Sequence, residues 1–253
     1  MRVAFFCGCW LSAFCPGFGG DEGDTWQHKR AEYRHKLIPG ASLSIANPYG
    51  DIRIRAADVD EVLVVAHIQT KAAASGEAGV EFEETTDRLG IVVSFPSDKV
   101  GALPASETHR VDIAVVVPVK AALAIMGHKG LIEAKGLKSA VQVETQFGNV
   151  TVATEGSVRA NCRQGEVRVI FKKTDWSESP VLETVHGDIV VFLPPESNIT
   201  ATAETRGHIT SDYSMTVKMP EDKKLKSAQA VIGDGKGAMR LSSTYGDIKL
   251  LRH

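Results

Sequence analysis

The sequence predicts an all-β protein and, within that class, a β-solenoid of stacked coils. The first reason is a recurring phrase of a glycine, one mostly polar residue, a β-branched residue, any residue and an apolar residue. It occurs at residues 148–152, 165–169 and 187–191 and, in weaker form, at 207–211. The second reason is its period, because the glycines step by 17, 22 and 20 residues, and a period near 20 is typical of stacked repeats. The third is the alternation of apolar and polar residues after each glycine, which is the pattern of a half-buried strand.

Each phrase has the composition of a corner followed by a strand. Glycine adopts turn conformations at little steric cost, and a following Asp or Asn hydrogen-bonds nearby backbone. The same phrase occurs at residues 50–54, 130–134 and 246–250. Alternation predicts that six side chains form one continuous buried column: Val150, Val152, Val167, Val169, Ile189 and Val191. A β-sandwich of many short strands is the alternative, because regular turn spacing does not separate the two folds.

Residues 1–20 have the pattern of a secretory signal peptide. A short cationic start is followed by an apolar run of 12 residues, 3–14, which is too short to cross a bilayer because a span takes ~20 apolar residues. Small residues at 17 and 19 fit cleavage close to Gly19 or Gly20. A lipoprotein signal that uses Cys15 is the alternative. We therefore expect an exported protein of the periplasm, cell envelope or medium, with no transmembrane span after signal removal.

Cysteine usage agrees with removal of this segment. Cys7, Cys9 and Cys15 lie within it, which leaves Cys162 as the last of the 4 cysteines. One cysteine cannot form an internal disulfide, so stability is expected to come from the stacked core. Cys162 is predicted to be a small packed hydrophobe.

Beyond residue 20 the chain divides into three stretches. Residues 21–36 are polar and without period, and they are predicted to form a flexible lead-in. Residues 37–120 are predicted to form an antiparallel β meander that supplies the first coils and a cap, since an open end exposes unpaired backbone. Residues 121–253 are predicted to form regular coils, continuous with 37–120 as one domain. Polar excursions at 172–180 and 214–226 interrupt the coils, and loops on a rigid scaffold often bind partners.

The apolar strands and glycines also occur as blocks in a fixed order along the chain. The succession is VVVP at residues 115–118, Gly130, VQVETQFGNV at 141–150, TVHGDIVVFLP at 184–194 and STYGDI at 243–248. In their order and number these blocks resemble the bacterial putative-adhesin β-solenoid family, a domain of unknown function, and the resemblance extends over residues 37–251. It implies a right-handed β-solenoid-like fold in exported or envelope-associated proteins, and it brings no catalytic residues.

The composition favours a binding or structural role over catalysis. With 29 basic and 31 acidic residues and a net charge of -2, we expect no nucleic-acid partner. The 8 histidines lack zinc spacing, and Asp51, Asp188 and Asp247 are expected to cap turns rather than bind calcium. We therefore predict no metal, no cofactor and no enzymatic activity, with an envelope protein or glycan as the partner. The alternative is a β-helix lyase or hydrolase that acts on polysaccharide.

Two groups of residues are candidates for contact with a partner. Tyr49, Phe147, His186 and Tyr245 each directly precede a corner glycine, so in stacked coils they are expected to form a column along one edge. Aromatic columns bind sugars or peptides, and they also stack on each other. The second group is Trp176 with Lys172 and Lys173 in the excursion 172–180. An exposed tryptophan there would anchor a partner, whereas a buried one would cap the sheet.

Overall fold

The computed structural model describes residues 25–38, 40–72, 74–96, 105–218 and 225–253, and the protein is all-β apart from one single-turn helix. The predicted signal peptide, residues 1–20, lies outside the described residues. In the first half of the chain the strands are β1 Trp26–Lys36, β2 Ser42–Tyr49, β3 Ile52–Ala57, β4 Glu61–Lys71, β5 Gly79–Glu84, β6 Arg88–Ser94, β7 His109–Pro118, β8 Leu123–Lys129, β9 Ile132–Leu137 and β10 Val141–Phe147, with helix α1 Ala105–Thr108 between β6 and β7.

Shorter strands make up the second half of the chain. They are β11 Val150–Thr154, β12 Val158–Gln164, β13 Val167–Phe171, β14 Val181–His186, β15 Ile189–Leu193, β16 Ile199–Thr205, β17 Ile209–Ser211, β18 Thr216–Lys218, β19 Lys226–Ile232, β20 Gly237–Ser243 and β21 Ile248–Arg252.

These strands form two large mixed sheets. The ten-stranded sheet has the order β1-β4-β7-β3-β9-β11-β13-β15-β21-β17, and the eleven-stranded sheet has the order β18-β19-β16-β20-β14-β12-β10-β8-β2-β6-β5. The middle of both sheets is parallel. The antiparallel pairs β1·β4, β4·β7, β5·β6, β16·β19 and β18·β19 lie toward the ends.

In the parallel part, a strand of one sheet, a glycine corner and a strand of the other sheet make one unit, which we call a coil. β10–β11, β12–β13 and β14–β15 are three consecutive coils, and each pairs in parallel with the next in both sheets. Val150 pairs with Val167 and Val167 with Ile189, and all six side chains of the predicted column, at 150, 152, 167, 169, 189 and 191, are 0% exposed. The predicted register is confirmed. The core lies between the sheets.

At the ends the coils do not follow chain order. The first coil, β2–β3, lies between the strands β6 and β7 on one side and the coil β8–β9 on the other, because β2 pairs with β6 and β8 while β3 pairs with β7 and β9. The last coil, β20–β21, lies between the coils β14–β15 and β16–β17. Each terminal coil is therefore paired on both sides in both sheets.

Two predictions for the first half of the chain are wrong. The lead-in predicted to be flexible contains β1, which pairs with β4 over 11 residue pairs. Its polar, unperiodic sequence reflects its place at the edge of a sheet, where charged residues discourage further pairing. The stretch 37–120 is not simply an antiparallel meander, because β2, β3, β6 and β7 have parallel neighbours in the two sheets. Only β1, β4 and β5 add antiparallel strands around them.

Aromatic side chains join the two sheets at this end of the molecule. Tyr33 of β1 lies 5.4 Å from Phe82 of β5 between ring centroids, and the imidazole of His35 lies 5.6 Å from the same ring. β1 is the edge of one sheet and β5 the edge of the other. The two edge strands thus meet over the end of the core and cap it.

Candidate binding edge

The corner glycines stack directly on one another, which determines the geometry of one edge of the molecule. A Cβ on Gly165 would lie 2.2 Å from the carbonyl oxygen of Gly148, and one on Gly187 would lie 1.9 Å from that of Gly165. On Gly246 it would lie 1.8 Å from the oxygen of Gly187. Because no side chain fits at these distances, the glycines are required for close coil stacking, and at Gly165 the φ of 147° is a second reason for glycine.

A row of buried polar side chains lies just inside this edge, and the sequence predictions did not include it. The hydroxyl of Ser243 donates to the carbonyl oxygen of Gly187 at 2.9 Å, and that of Thr184 donates to the oxygen of Gly165 at 3.4 Å. Cys162 occupies the same position, and its thiol donates to the oxygen of Gly148 at 3.3 Å. Burial raises the pKa of this thiol. Cys162 therefore supplies a weak donor as well as packing volume.

The signal for this row is present in the sequence. A small polar residue stands three positions before the corner glycines 148, 165, 187 and 246, at Thr145, Cys162, Thr184 and Ser243. The hydroxyl of Thr145 is buried without a hydrogen-bond partner, so Thr145 shares the position but not the bond. A glycine carbonyl that turns inward at a corner needs a donor, and Ser, Thr and Cys are the small side chains that can supply one. Periodic small polar residues inside otherwise apolar strands would have indicated it.

The residues that follow the glycines make a third row of contacts. Oδ1 of Asp188 accepts from the backbone N–H of Asp247 at 2.8 Å, and Oδ1 of Asp247 accepts from that of His208 at 2.8 Å. The bond from His208 lowers the pKa of Asp247. Asn149 accepts from Glu166 in the same way at 3.0 Å. These side chains cap the turn of the neighbouring coil, so they link coils. Among the described residues no group of acids, histidines and cysteines is arranged to hold a metal ion.

The stacked corners hold the aromatic residues that precede the glycines along one edge of the molecule. Pairing places Tyr49 beside Lys129, Lys129 beside Phe147, Phe147 beside Gln164, and Gln164 beside His186. The predicted residues thus lie on one edge, but Lys129 and Gln164 interrupt them.

One further ring, which the sequence predictions missed, completes the first part of the row. The imidazole of His128 lies 5.7 Å from the Tyr49 ring and 5.6 Å from the Phe147 ring, edge-on to both. His128 stands two positions before its glycine rather than one, so a search at a single position overlooks it. We call Tyr49, His128, Phe147, His186 and Tyr245 the aromatic edge.

The second part of the row is the most accessible. The rings of His186 and Tyr245 stack with centroids 4.8 Å apart and planes 6° from parallel. The guanidinium of Arg206 lies 5.1 Å from the centre of the Tyr245 ring. Tyr245 is 55% exposed and Phe147 is 38% exposed. Rings held this rigidly and left open to solvent offer flat apolar surface at little entropic cost.

The residues that directly precede the corner glycines include cations but no acids. The two positions before each glycine are His-Lys at 128–129, Gln-Phe at 146–147, Arg-Gln at 163–164, Val-His at 185–186, Thr-Tyr at 244–245 and Thr-Arg at 205–206. Lys129, Arg163 and Arg206 are exposed. In the described part of the chain none of the three has a carboxylate within salt-bridge distance. A different arrangement holds on the outer face of the ten-stranded sheet, where Arg53 pairs with Asp51 at 2.8 Å and Arg168 with Glu166 at 2.9 Å.

The excursion 172–180 is packed against the core and does not present an exposed anchor. Trp176 packs against the core with its ring 4.4 Å from that of Phe171, which is 0% exposed. Its indole nitrogen is buried without a hydrogen-bond partner. Trp176 is therefore a packing residue and not an exposed anchor. Lys173 pairs with Glu155 at 2.8 Å and lowers the pKa of that carboxyl, and Lys172 is exposed.

A recess of about 610 Å³ lies where β16 begins and β19 ends. Its lining includes Asp212, Tyr213, Asn198 and Arg252. The backbone N–H of Arg252 donates to Asp212 at 2.9 Å, and its guanidinium lies 5.3 Å from the Tyr213 ring centre. These groups therefore contact one another within the recess wall.

Comparison with known proteins gives a likeness of shape only. No protein-family model matches the chain, and no curated protein matches it. Solved structures that match include a putative cell adhesion protein from Clostridium sporogenes, with a TM-score of 0.46, 12% identity and coverage of 89% of this chain and 100% of that one. A putative adhesin from Bacteroides fragilis matches with a TM-score of 0.42, 12% identity and coverage of 89% and 97%. Similarity at this level transfers no ligand or activity.

Within the described residues, no helix has the length and apolar character that crossing a bilayer requires.

Proposed function

We propose that this chain is a non-catalytic, exported β-solenoid that binds a glycan of the cell envelope through the aromatic edge. The observation that carries the proposal is the row of rings itself. Five aromatic side chains, each from a different coil, lie on one edge, with Gln164 between Phe147 and His186. Tyr245 and Phe147 are substantially exposed. The apolar faces of sugar rings stack on such side chains, and the stacked backbone beneath holds the rings in place without a ligand.

The coil-by-coil pairing supports the solenoid part of the proposal. Fourteen of the nineteen strand pairings among the described residues are parallel, and consecutive coils are linked by the glycine contacts and by the capping Asp and Asn residues. A solenoid of this kind presents equivalent side chains about every 4.8 Å along an edge. Such an edge suits a linear ligand that lies across the coils.

Export is supported by the sequence of residues 1–20, whose short apolar run and small residues fit a cleaved signal. The putative-adhesin resemblance fits the same location. Mass spectrometry of the mature N-terminus tests this part. A first residue close to Gly19 or Gly20 agrees with the proposal, an uncleaved Met1 contradicts it, and a lipid on Cys15 indicates a lipoprotein.

The binding experiment uses a panel of immobilised purified bacterial envelope polysaccharides. We expect the wild-type protein to be retained on at least one of them, and the double variant F147A/Y245A to lose that retention. V231A is the matched control, because Val231 is a 62% exposed apolar residue of the same sheet that pairs with Thr200, at the end of β16 opposite the corner glycine Gly207. Equal retention of F147A/Y245A and wild type would place the binding surface elsewhere.

The same panel distinguishes the alternative function. A lyase or hydrolase would release new reducing ends or unsaturated products during incubation, whereas a binding module leaves the polysaccharide intact. Time-dependent release that purified protein catalyses would refute the non-catalytic proposal.

A further inference from the structure

We infer that the ligand of the aromatic edge is an anionic polysaccharide, one whose repeating units carry carboxylate, sulfate or phosphate groups. This inference rests on the proposed glycan binding and adds the charge of the ligand. It follows from three observations on the residues that surround the rings.

The first observation is that the positions before the corner glycines carry no acids, in a protein that is slightly acidic. The acids that follow these glycines are already bound, because Asp188 and Asp247 accept from backbone N–H groups and Glu166 pairs with Arg168. The whole chain has 29 basic and 31 acidic residues. Two residues stand directly before each of the six corner glycines at 130, 148, 165, 187, 207 and 246, which makes twelve positions. These positions include no Asp or Glu, but they include Lys129, Arg163, Arg206, His128 and His186. Local charge of one sign in a protein of near-zero net charge attracts ligands of the opposite sign. The edge therefore favours an anionic partner.

The second observation is that Lys129, Arg163 and Arg206 have no acidic partners among the described residues, whereas three cations of the ten-stranded sheet do. Arg53 and Arg168 on the outer face of the ten-stranded sheet lie 2.8 and 2.9 Å from carboxylates. Lys249 lies 3.9 Å from Asp188. Among the described residues, the guanidinium of Arg206 lies over the ring of Tyr245 and donates to its hydroxyl at 3.5 Å. A guanidinium placed over an aromatic face keeps donors directed to solvent, where they can bind an anionic group in bidentate geometry.

The third observation is the order of rings and cations along the edge. In the order of the coils the side chains are Tyr49, Lys129, Phe147, Arg163 with Gln164, His186, Tyr245 and Arg206. With coils ~4.8 Å apart, a linear chain that runs along the edge meets two ring–cation pairs, Tyr49 with Lys129 and Phe147 with Arg163. It then meets the stacked rings of His186 and Tyr245, followed by Arg206. A polysaccharide with a charged group in each repeat has matching apolar faces and anions.

The backbone at this edge argues against an extended peptide as the ligand. Peptides often bind by adding a strand to a free sheet edge. Here the N–H groups of Gly130 and Gly148 donate to the neighbouring coil at 3.0 Å, and the carbonyls of Gly165 and Gly187 accept from Thr184 and Ser243. The backbone groups of the corners are therefore engaged, and side chains must make the contacts.

The test measures binding to polygalacturonate and to its fully methyl-esterified form, which share a sugar backbone but differ in charge. Heparin, dextran and poly-L-glutamate complete the set as a sulfated glycan, a neutral glycan and an anionic peptide. We expect the wild-type protein to bind polygalacturonate, heparin or both. Binding should weaken about tenfold or more when polygalacturonate is esterified, and also in the variant K129Q/R163Q/R206Q. High salt should abolish it.

The matched control is R53Q/R168Q/K249Q, which changes the net charge by the same amount but removes cations that already have acidic partners. It should bind within about twofold of wild type, and circular dichroism should show both triple variants folded. If the edge triple variant fails to fold, the comparison of ester with acid on wild-type protein still decides the question.

The outcomes separate the charge of the ligand from the binding of a glycan. Binding to dextran or to the methyl ester as tight as to the acid would overturn the anionic inference while leaving the glycan proposal intact. Equal binding to poly-L-glutamate would show that charge is recognised without sugar, and would overturn the inference. Loss of anionic-glycan binding in F147A/Y245A as well as in K129Q/R163Q/R206Q would support both. Failure to bind any envelope or anionic glycan would overturn both.

Discussion

Individual residues at the corners carry much of the specificity of this fold. Gly187 has no positive φ, yet a Cβ there would lie 1.9 Å from the carbonyl oxygen of Gly165. The requirement for glycine at this position is therefore steric contact between coils rather than backbone conformation. This separates two roles of glycine that the sequence pattern combines.

The first prediction compares two glycine-to-alanine substitutions. G187A should lower the free energy of unfolding by about 3 kcal/mol or more, because backbone must move to admit the methyl group. G79A should change it by less than about 0.5 kcal/mol, since the nearest atom is 3.6 Å away. Urea denaturation followed by circular dichroism measures both. Similar values for the two variants would refute the close stacking of the corners.

The second prediction concerns the buried donor row at Cys162. C162T and C162V have nearly the same shape, but only threonine can donate to the carbonyl oxygen of Gly148. C162T should therefore be more stable than C162V by about 1 kcal/mol, as measured by urea denaturation. A valine variant as stable as the threonine variant would show that this carbonyl needs no side-chain donor.

The third prediction is a pH dependence at the same residue. The folded-state pKa of Cys162 is raised by burial, so the unfolded thiol ionises at a lower pH than the folded one. Its contribution to stability is fully present below the ordinary thiol pKa and is lost as pH rises through the folded pKa. Wild type should lose more stability than C162T between pH 8 and about 10. Parallel thermal melts across this range, with equal slopes for both proteins, would contradict it.

Among the elements, the excursion 172–180 shows how a polar loop is held by one buried ring. Its ends bond to neighbouring coils, since Lys172 donates from its backbone N–H to Thr154 at 2.9 Å and Pro180 accepts from Arg240 at 3.0 Å. Trp176 then packs on Phe171. The loop is attached at three points, so it behaves as part of the scaffold.

The fourth prediction tests this attachment. W176A should lower the melting temperature by about 5–10 °C, which corresponds to about 2–3 kcal/mol for a partly buried ring. W176F should cost much less, because it keeps an aromatic ring and removes an indole nitrogen that is buried without a partner. Differential scanning calorimetry measures both shifts. A W176A protein with unchanged melting temperature but lost glycan binding would instead restore the exposed-anchor hypothesis.

For the whole molecule, the order of the coils places β2–β3 and β20–β21 inside the array and leaves β1 and other strands at its edges. β1 covers the apolar strand β4, and its sequence is rich in Lys, Arg and His. Charged edge strands prevent sheets from joining end to end. β1 is thus both a cap for the core and a barrier to association.

The fifth prediction follows from this double role. A variant that begins at residue 38 and so lacks β1 should aggregate, because β4 would then expose unpaired backbone beside Val62 and Val64. A variant that begins at residue 25 retains β1 and should remain monodisperse. Light scattering with purified proteins at equal concentration compares them. A monodisperse, fully stable protein without β1 would show that another element covers β4.

The sequence by itself determined the features that repeat locally. Alternation placed Val150, Val167 and Ile189 in the core, and the glycines marked the corners, because side-chain direction in a strand and steric demands at a turn are properties of adjacent residues. It also identified four of the five rings of the aromatic edge. Equivalent positions in successive repeats lie side by side in a stack, so periodicity is enough to align them.

Only the tertiary structure decided which segments become neighbours across the repeats. β1 forms because β4 offers it a partner, although its own sequence has no strand period. The insertion of β20–β21 between β14–β15 and β16–β17, the burial of Trp176 and the arrangement of unpaired cations beside the rings also depend on contacts between residues far apart in the chain. Local pattern records which way a side chain points, whereas pairing over long separations depends on which partner surface remains uncovered, and that is a property of the whole fold.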